Sequence, residues 1–382
     1  MNDWSIIAYK KRIKEKEKAG IRIIRLEIGA PDFDTPEGIK NVAREALNKG
    51  CTSYTDPKGV SRLREEICEY YYRTVGKEFS PKDNIIVTPG SKYAIFSALH
   101  TLLKKNEDKV LLFDPYWMDY VAMCQILNKK FITVPLIDDG NRYYFDEETF
   151  KENISKEIKV IILNSPHHPT GKIFSKEELK FIADIAEDNQ LFIISDEIYE
   201  KIRFTEDYWS ILNIVDNMEN VIMTNGFSKA YAMAGWRVGY AISSKKIIDK
   251  MTEFQIYTTR CPNSIAQYAA VTAIQYDEIV ENMIKKYRIR RDALYKILND
   301  LDNVRCTNAD GTFYLFANFS SIGNDSYKMV NELLENGVST LPGTLFGENW
   351  GGYIRFALTT NLSDIKMVDE NLKQWIDTKR GD

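Results

Sequence analysis

The chain has 382 residues, 44% of them hydrophobic and 28% charged, enough for a large core and more than one domain. Its 51 basic and 55 acidic residues give a net charge of −4, which argues against nucleic acid or an anionic membrane as a partner. Five dispersed cysteines with no C-x-x-C pair, and only three histidines, suggest reduced thiols in a cytoplasmic protein and no metal site.

The N-terminus is polar and basic, lacks the apolar region of a signal peptide, and reads as a solvated helix face over residues 1–20. No apolar run is long enough to span a membrane. A short β-rich run follows and ends at Gly29, before a turn with Pro31 and Pro36; a glycine there lets a ligand approach the backbone closely. Tyr54 precedes an Asp-Pro-Lys-Gly turn, and Val60, Leu63 and Ile67 recur at helical spacing. A strand over Ile85 to Thr88 runs into Pro89-Gly90-Ser91-Lys92, where a helix begins; the free N–H groups and positive dipole of such a helix start bind phosphate. An apolar strand ends at Asp114-Pro115, with Trp117 just beyond, at the end where α/β sheets bind ligands. Another strand leads to His167-His168-Pro169-Thr170-Gly171, and the next helix opens with Ser175 and Glu178 in capping-box spacing and buries Leu179, Ile182, Ala183 and Ala186.

The strand from Leu191 ends in Asp196, with Tyr199 three residues on; a carboxylate at the end of a buried strand needs a cationic or donor partner. Thr224 to Tyr240 then reads TNGFSKAYAMAGWRVGY. A carbonyl cofactor can turn a lysine such as Lys229 into a chemical handle by forming an imine, and Arg237 can grip a phosphate in a planar fork. Near the C-terminus Arg355 falls on a strand, where a guanidinium can hold a carboxylate in two parallel bonds.

The joint order of these pieces, from Gly29 to Arg355, resembles the class I/II (fold-type I) pyridoxal-phosphate-dependent aminotransferases. The resemblance implies an α/β fold: a large domain over residues 31–285, with a mostly parallel seven-stranded sheet between helices, and a smaller α/β domain from residues 1–30 and 286–382. It implies an amino group moved between an L-amino acid and a 2-oxo acid, with Lys229 as the cofactor-bonded general base and acid. Asp196 would hold the ring nitrogen protonated, Tyr199 would bond the ring oxygen and Trp117 would stack on the ring. Gly90, Ser91, Lys92, Ser228 and Arg237 would cradle the phosphate, helped by Tyr54 from the neighbouring subunit of a homodimer. Gly29 and Arg355 would hold the substrate carboxylate. This chain has His167 and His168 where the family has two asparagines, the second of which donates to the ring oxygen; a neutral imidazole at His168 could also donate, and could titrate. Gly226 stands where many members carry serine, and Arg260 where small polar residues are usual. These departures keep open another reaction on the same cofactor: β-elimination, oxidative deamination or decarboxylation. A non-enzymatic regulator of the same fold is disfavoured, since no added DNA-binding segment precedes Gly29.

Overall fold

The structure, a computed structural model, describes residues 5–380. Its strands in chain order are Ile24–Arg25 (β1), Ile85–Thr88 (β2), Lys109–Asp114 (β3), Lys130–Asp138 (β4), Tyr143–Phe145 (β5), Ile158–Asn164 (β6) and Phe192–Asp196 (β7). They continue with Val221–Gly226 (β8), Gly239–Ile242 (β9), Arg305–Cys306 (β10), Tyr314–Asn318 (β11), Val338–Ser339 (β12), Leu341–Pro342 (β13) and Tyr353–Ala357 (β14).

The main sheet has eight strands in the order β2-β9-β8-β7-β6-β3-β4-β5. Its centre, from β8 to β4, is parallel; β9 runs against both neighbours, and β5 is antiparallel at the edge. The eighth strand, beyond the seven expected, is the three-residue hairpin return β5, too short to stand out in sequence.

Side chains alternate across this sheet as the pleat requires. Leu111, Ile161, Ile193, Val221 and Met223 enter one apolar cluster, while Val110, Leu112, Ile162, Ile194 and Ile222 enter the cluster on the other face. Burial on both faces explains why these strands read as unbroken apolar runs, and each such side chain stabilises the fold by roughly 1.5–3 kcal/mol.

A third cluster joins the chain ends: Tyr9 and Ile13 pack with Leu333, Leu372 and Trp375 over the antiparallel sheet β10-β11-β14-β13. The N-terminal helix Ile6–Lys18 is therefore not solvated all round, since Tyr9 and Ile13, four residues apart, face this core. The β-rich run before Gly29 gives only the two-residue β1, because Leu26 switches partners: its N–H donates to Ser339 and its carbonyl accepts from Ala357. The capping box forms as expected, with reciprocal bonds between Ser175 and Glu178. Among the described residues no helix is long and apolar enough to cross a membrane.

Candidate active site

The carboxyl ends of the parallel strands open into a cavity of about 510 Å³. Gly29, Ser91, Lys92, Trp117, His168, Asp196, Tyr199, Ser228, Lys229, Arg237 and Arg355, drawn from strand ends and loops across the chain, all line it.

Lys229 sits in the loop after β8, where its Nζ donates to the Gly29 carbonyl at 2.6 Å. Burial and the nearby Arg355 bring its ammonium down to about 8, against the opposing pull of Asp196. Asp196 ends β7 and is 3% exposed. Burial pushes its carboxyl up to about 6, although Tyr120 donates to Oδ2 at 2.7 Å and the Ile198 N–H to Oδ1 at 3.3 Å. Tyr199 shares a hydrogen bond of 3.1 Å with Tyr314. Trp117 precedes the helix Met118–Ile126, edge-on to Tyr120, with Lys92 Nζ 4.9 Å above its ring; Lys92 also pairs with Asp119.

Gly90 caps the helix Ser91–Leu102 with φ +87°, a backbone state glycine adopts freely. A Cβ there would lie 2.6 Å from Arg237 Nη2, so the glycine lets the guanidinium settle against the turn. Arg237 itself has φ +58° and donates to Ala234 and Pro89 carbonyls. On β9, Gly239 pairs with Thr88 and Gly226, and a Cβ on it would lie 2.3 Å from the Ser91 nitrogen. A Cβ at Gly226 would meet Gly239 Cα and the Val238 oxygen at 3.0 Å. A side chain at Gly226 would need its neighbours on β9 to give by a few tenths of an ångström.

Arg355, on β14, is 3% exposed and donates through Nη2 to the Glu27 carbonyl at 2.6 Å. Its Nη1 lies 3.2 Å from His168 Nε2. Arg355 Nε and His168 Nδ1 are both buried without a hydrogen-bond partner among the described residues. The two histidines part company here. His167 bonds the Thr170 hydroxyl at 2.8 Å and the Pro115 backbone, so it fastens the Pro-Thr-Gly turn and stays off the cavity wall. Its role is structural, and burial pushes its imidazole down to about 3.

Tyr54 is absent from the wall of this single chain and is 82% exposed. Its loop is tied to the segment around Arg260: Gln255 donates to the Pro57 carbonyl at 2.6 Å, Gln267 to the Thr55 hydroxyl at 3.1 Å, and Ser264 to the Cys51 carbonyl at 2.8 Å. Tyr54 and the exposed Arg260 thus belong to one surface region.

Sequence reasoning missed Asn164, Tyr120 and Tyr314. Asn164 ends β6 directly beside Asp196 in the parallel register; it donates to the Asp196 carbonyl and accepts the His168 N–H, both at 2.8 Å. Its place at a strand end is no signal by itself; the pairing of β6 with β7 gives it its partner. Behind the wall lies a second polar group. Glu197 accepts from Ser195, Tyr208 and the Ile211 N–H, and Glu200 from Tyr70, Tyr71 and Asn225. Burial, reinforced by Glu200, raises Glu197 to about 7.

The family described as "Aminotransferase class I and II" matches residues 21–371. A protein named probable aspartate aminotransferase from Methanocaldococcus jannaschii is 39% identical over 90% of both chains. Aromatic-amino-acid aminotransferase 2 of Thermococcus litoralis is 34% identical over 94% of this chain and 92% of that one. The crystal structure of an aspartate aminotransferase from Thermotoga maritima superposes with a TM-score of 0.92 at 31% identity, covering 97% of this chain and 96% of its own.

Proposed function

The chain belongs to the class I and II aminotransferases, and from that premise we propose that its cavity binds pyridoxal phosphate and moves the amino group of aspartate to a 2-oxo acid. The observation that carries this reading is the meeting of Lys229, Asp196 and Arg355 around one cavity. The cavity fits the cofactor in two respects: Gly90 leaves a cradle beside Arg237 that a Cβ would fill, and buried nitrogens of Arg355 and His168 have no hydrogen-bond partner among the described residues. When bound, the cofactor supplies an electrophilic carbon for the amino group and a sink for the electrons left at Cα.

The residues of the chain divide the remaining work. Lys229, with its ammonium near 8, holds the covalent attachment and then takes and returns the Cα proton, since a group in this range is available both as base and as acid. Asp196 presents a carboxylate to the ring nitrogen, steadied by Tyr120. Arg237, Ser91, Ser228 and the helix start at Gly90 receive the phosphate. Trp117 and Tyr199 fix the ring plane and its oxygen. Arg355 takes the substrate's α-carboxylate in a buried setting where competing water is scarce. Lys92, expected from sequence in the phosphate cradle, pairs with Asp119 and is here assigned instead to a side-chain carboxylate, a choice the relatives named for aspartate support.

The same reading makes the protein a homodimer with shared sites, supported by the joint exposed surface of Tyr54 and Arg260. It divides the chain at residues 31–285, supported by a separate core that draws mostly on residues 1–30 and 286–382. The test is to add each amino acid in turn to the loaded enzyme. Retention of the amino group until a 2-oxo acid arrives supports transamination, with aspartate the fastest; release of ammonia refutes it.

A further inference from the structure

Leu26, Glu27, Ile28 and Gly29 offer four successive carbonyls to groups on and around the cavity wall. The Ala357 N–H donates to the first at 2.7 Å, Arg355 Nη2 to the second at 2.6 Å, the Thr359 hydroxyl to the third at 2.8 Å and Lys229 Nζ to the fourth at 2.6 Å. The strip lies where the chain crosses from β12, paired with Ile24 and Arg25, to β14. Glu27 stands at this crossing and is held from a second side. Residues two apart on an extended segment share a face, which brings Arg25 to Glu27. Arg25 donates to Glu27 Oε1 through Nε at 2.8 Å and Nη2 at 2.5 Å, and the Ser339 hydroxyl of β12 donates to Oε2. Arg25 in turn donates to Glu17 of the helix Ile6–Lys18 at 3.0 Å. The Glu27 carboxylate itself is fully buried.

We propose that Glu27 is a positioning residue for Arg355: its carboxylate, tied to Arg25 and Ser339, fixes the direction of its own carbonyl, and that carbonyl sets how the guanidinium is presented to a substrate carboxylate. The proposal rests on the reading of Arg355 as the α-carboxylate site. A carbonyl turns only as its rigid peptide plane turns, so anchoring the side chain of the same residue to β12 restricts it. The rings of Tyr314 and Phe346, 4.4 and 5.6 Å from Arg355 Cζ, hold the guanidinium by their faces. Such contacts set its direction loosely, whereas a hydrogen bond is directional. Stability alone is a poor reason for the arrangement, because apolar side chains of similar volume often replace a buried ion pair without loss. A buried pair whose one member bonds the site arginine through its main chain has a positional reason to be there.

Glu27→Gln keeps the size of the side chain and removes its charge. In the holoenzyme, binding of maleate, an unreactive dicarboxylate, is read from the change in the cofactor's absorbance. Its affinity should fall roughly tenfold, the order of one hydrogen bond to a charged group. KM for the amino acid should rise by a similar factor, with kcat much less changed. Reaction with propylamine, which has no carboxylate for Arg355 to hold, should proceed as in the unaltered enzyme. Unchanged maleate affinity, or a loss shared equally by propylamine and the amino acid, overturns the proposal. In an Arg355→Leu background Glu27→Gln should weaken maleate no further, because both changes act on one contact; an additive loss also overturns it. Should Glu27→Gln not fold, Ser339→Ala removes one donor to the carboxylate and should weaken maleate in the same direction; no weakening overturns the proposal. If Arg355→Leu alone binds maleate as tightly as the unaltered enzyme, the carboxylate reading of Arg355 is refuted and this proposal with it. A loss in Arg355→Leu without one in Glu27→Gln refutes this proposal alone.

Discussion

Lys229 Nζ donates to the carbonyl of Gly29 over 2.6 Å, so the loop after β8 is fastened to a turn 200 residues earlier in the chain. This bond brings the amine to the wall that Arg355 and Asp196 share, and burial there lowers it to about 8. Attack on an aldehyde requires the neutral amine. The rate at which pyridoxal phosphate attaches to cofactor-free protein should therefore climb with pH through about 8 and level off above it. A rate that is flat across this range would mean that the amine is already neutral.

Asp196→Asn would remove the charge that Asp196 is proposed to offer the ring nitrogen while keeping the shape. A hydrogen bond to a charged group is worth roughly 1.5–3 kcal/mol, so kcat should fall by about ten- to a hundredfold. Tyr120→Phe is gentler and shifts a pH limb. The Tyr120 hydroxyl holds the Asp196 carboxyl below where burial alone would set it, so its loss raises that pKa above about 6. The acid limb of kcat/KM should move to higher pH. An acid limb left in place would show that it belongs to another group.

Gly239→Ala should weaken phosphate binding. The new Cβ would lie 2.3 Å from the Ser91 nitrogen and 2.5 Å from the Gly90 carbonyl carbon, which are backbone atoms at the head of the helix. Overpacking of this kind costs about 1–3 kcal/mol. Equilibrium dialysis should show cofactor affinity reduced by more than the variant's thermal stability alone would suggest; equal affinity would show that the turn moves freely.

Glu197 gives a stability signature. Its carboxyl is pushed up from 4.5 to about 7 by burial and by Glu200. The native state therefore binds more protons than the unfolded chain between those values, and stability declines as pH rises through about 7. The full penalty is about 3 kcal/mol. Glu197→Gln should flatten this decline and be the more stable protein at alkaline pH, as read by urea unfolding at several pH values. A parallel pH dependence in both proteins would rule Glu197 out as the source.

Much of the cavity wall of the candidate site was legible, because residues with a stated chemical reason to lie at strand ends and turns do meet there. Asp196 after an apolar strand, the Gly90 turn and the Lys229–Arg237 string each carry their physical reason in a few neighbouring letters. Asn164 was not legible, since its meaning comes from lying beside Asp196 in a register that only the paired strands reveal. The difference between His167 and His168 was hidden for a similar reason: adjacent and identical, they are separated by the turn, which aims one at Thr170 and the other at Arg355. β5 escaped because three residues carry too little pattern, and Gly226 because its packing against Gly239 is a contact between strands.

Shared sites would make Tyr54 and Lys229 act from different subunits. Tyr54→Phe and Lys229→Ala chains, each impaired alone, should regain activity when mixed to form hybrid dimers in which one site is intact. Hybrids that form without regaining activity would place Tyr54 outside the site.

The central claim is that Lys229 carries the cofactor, and borohydride reduction of the loaded enzyme followed by peptide mapping tests it most directly. The account predicts a single pyridoxyl label on Lys229, lost in Lys229→Ala together with at least about a hundredfold in activity. A label on another lysine, or no label on an enzyme that retains its cofactor, would contradict it.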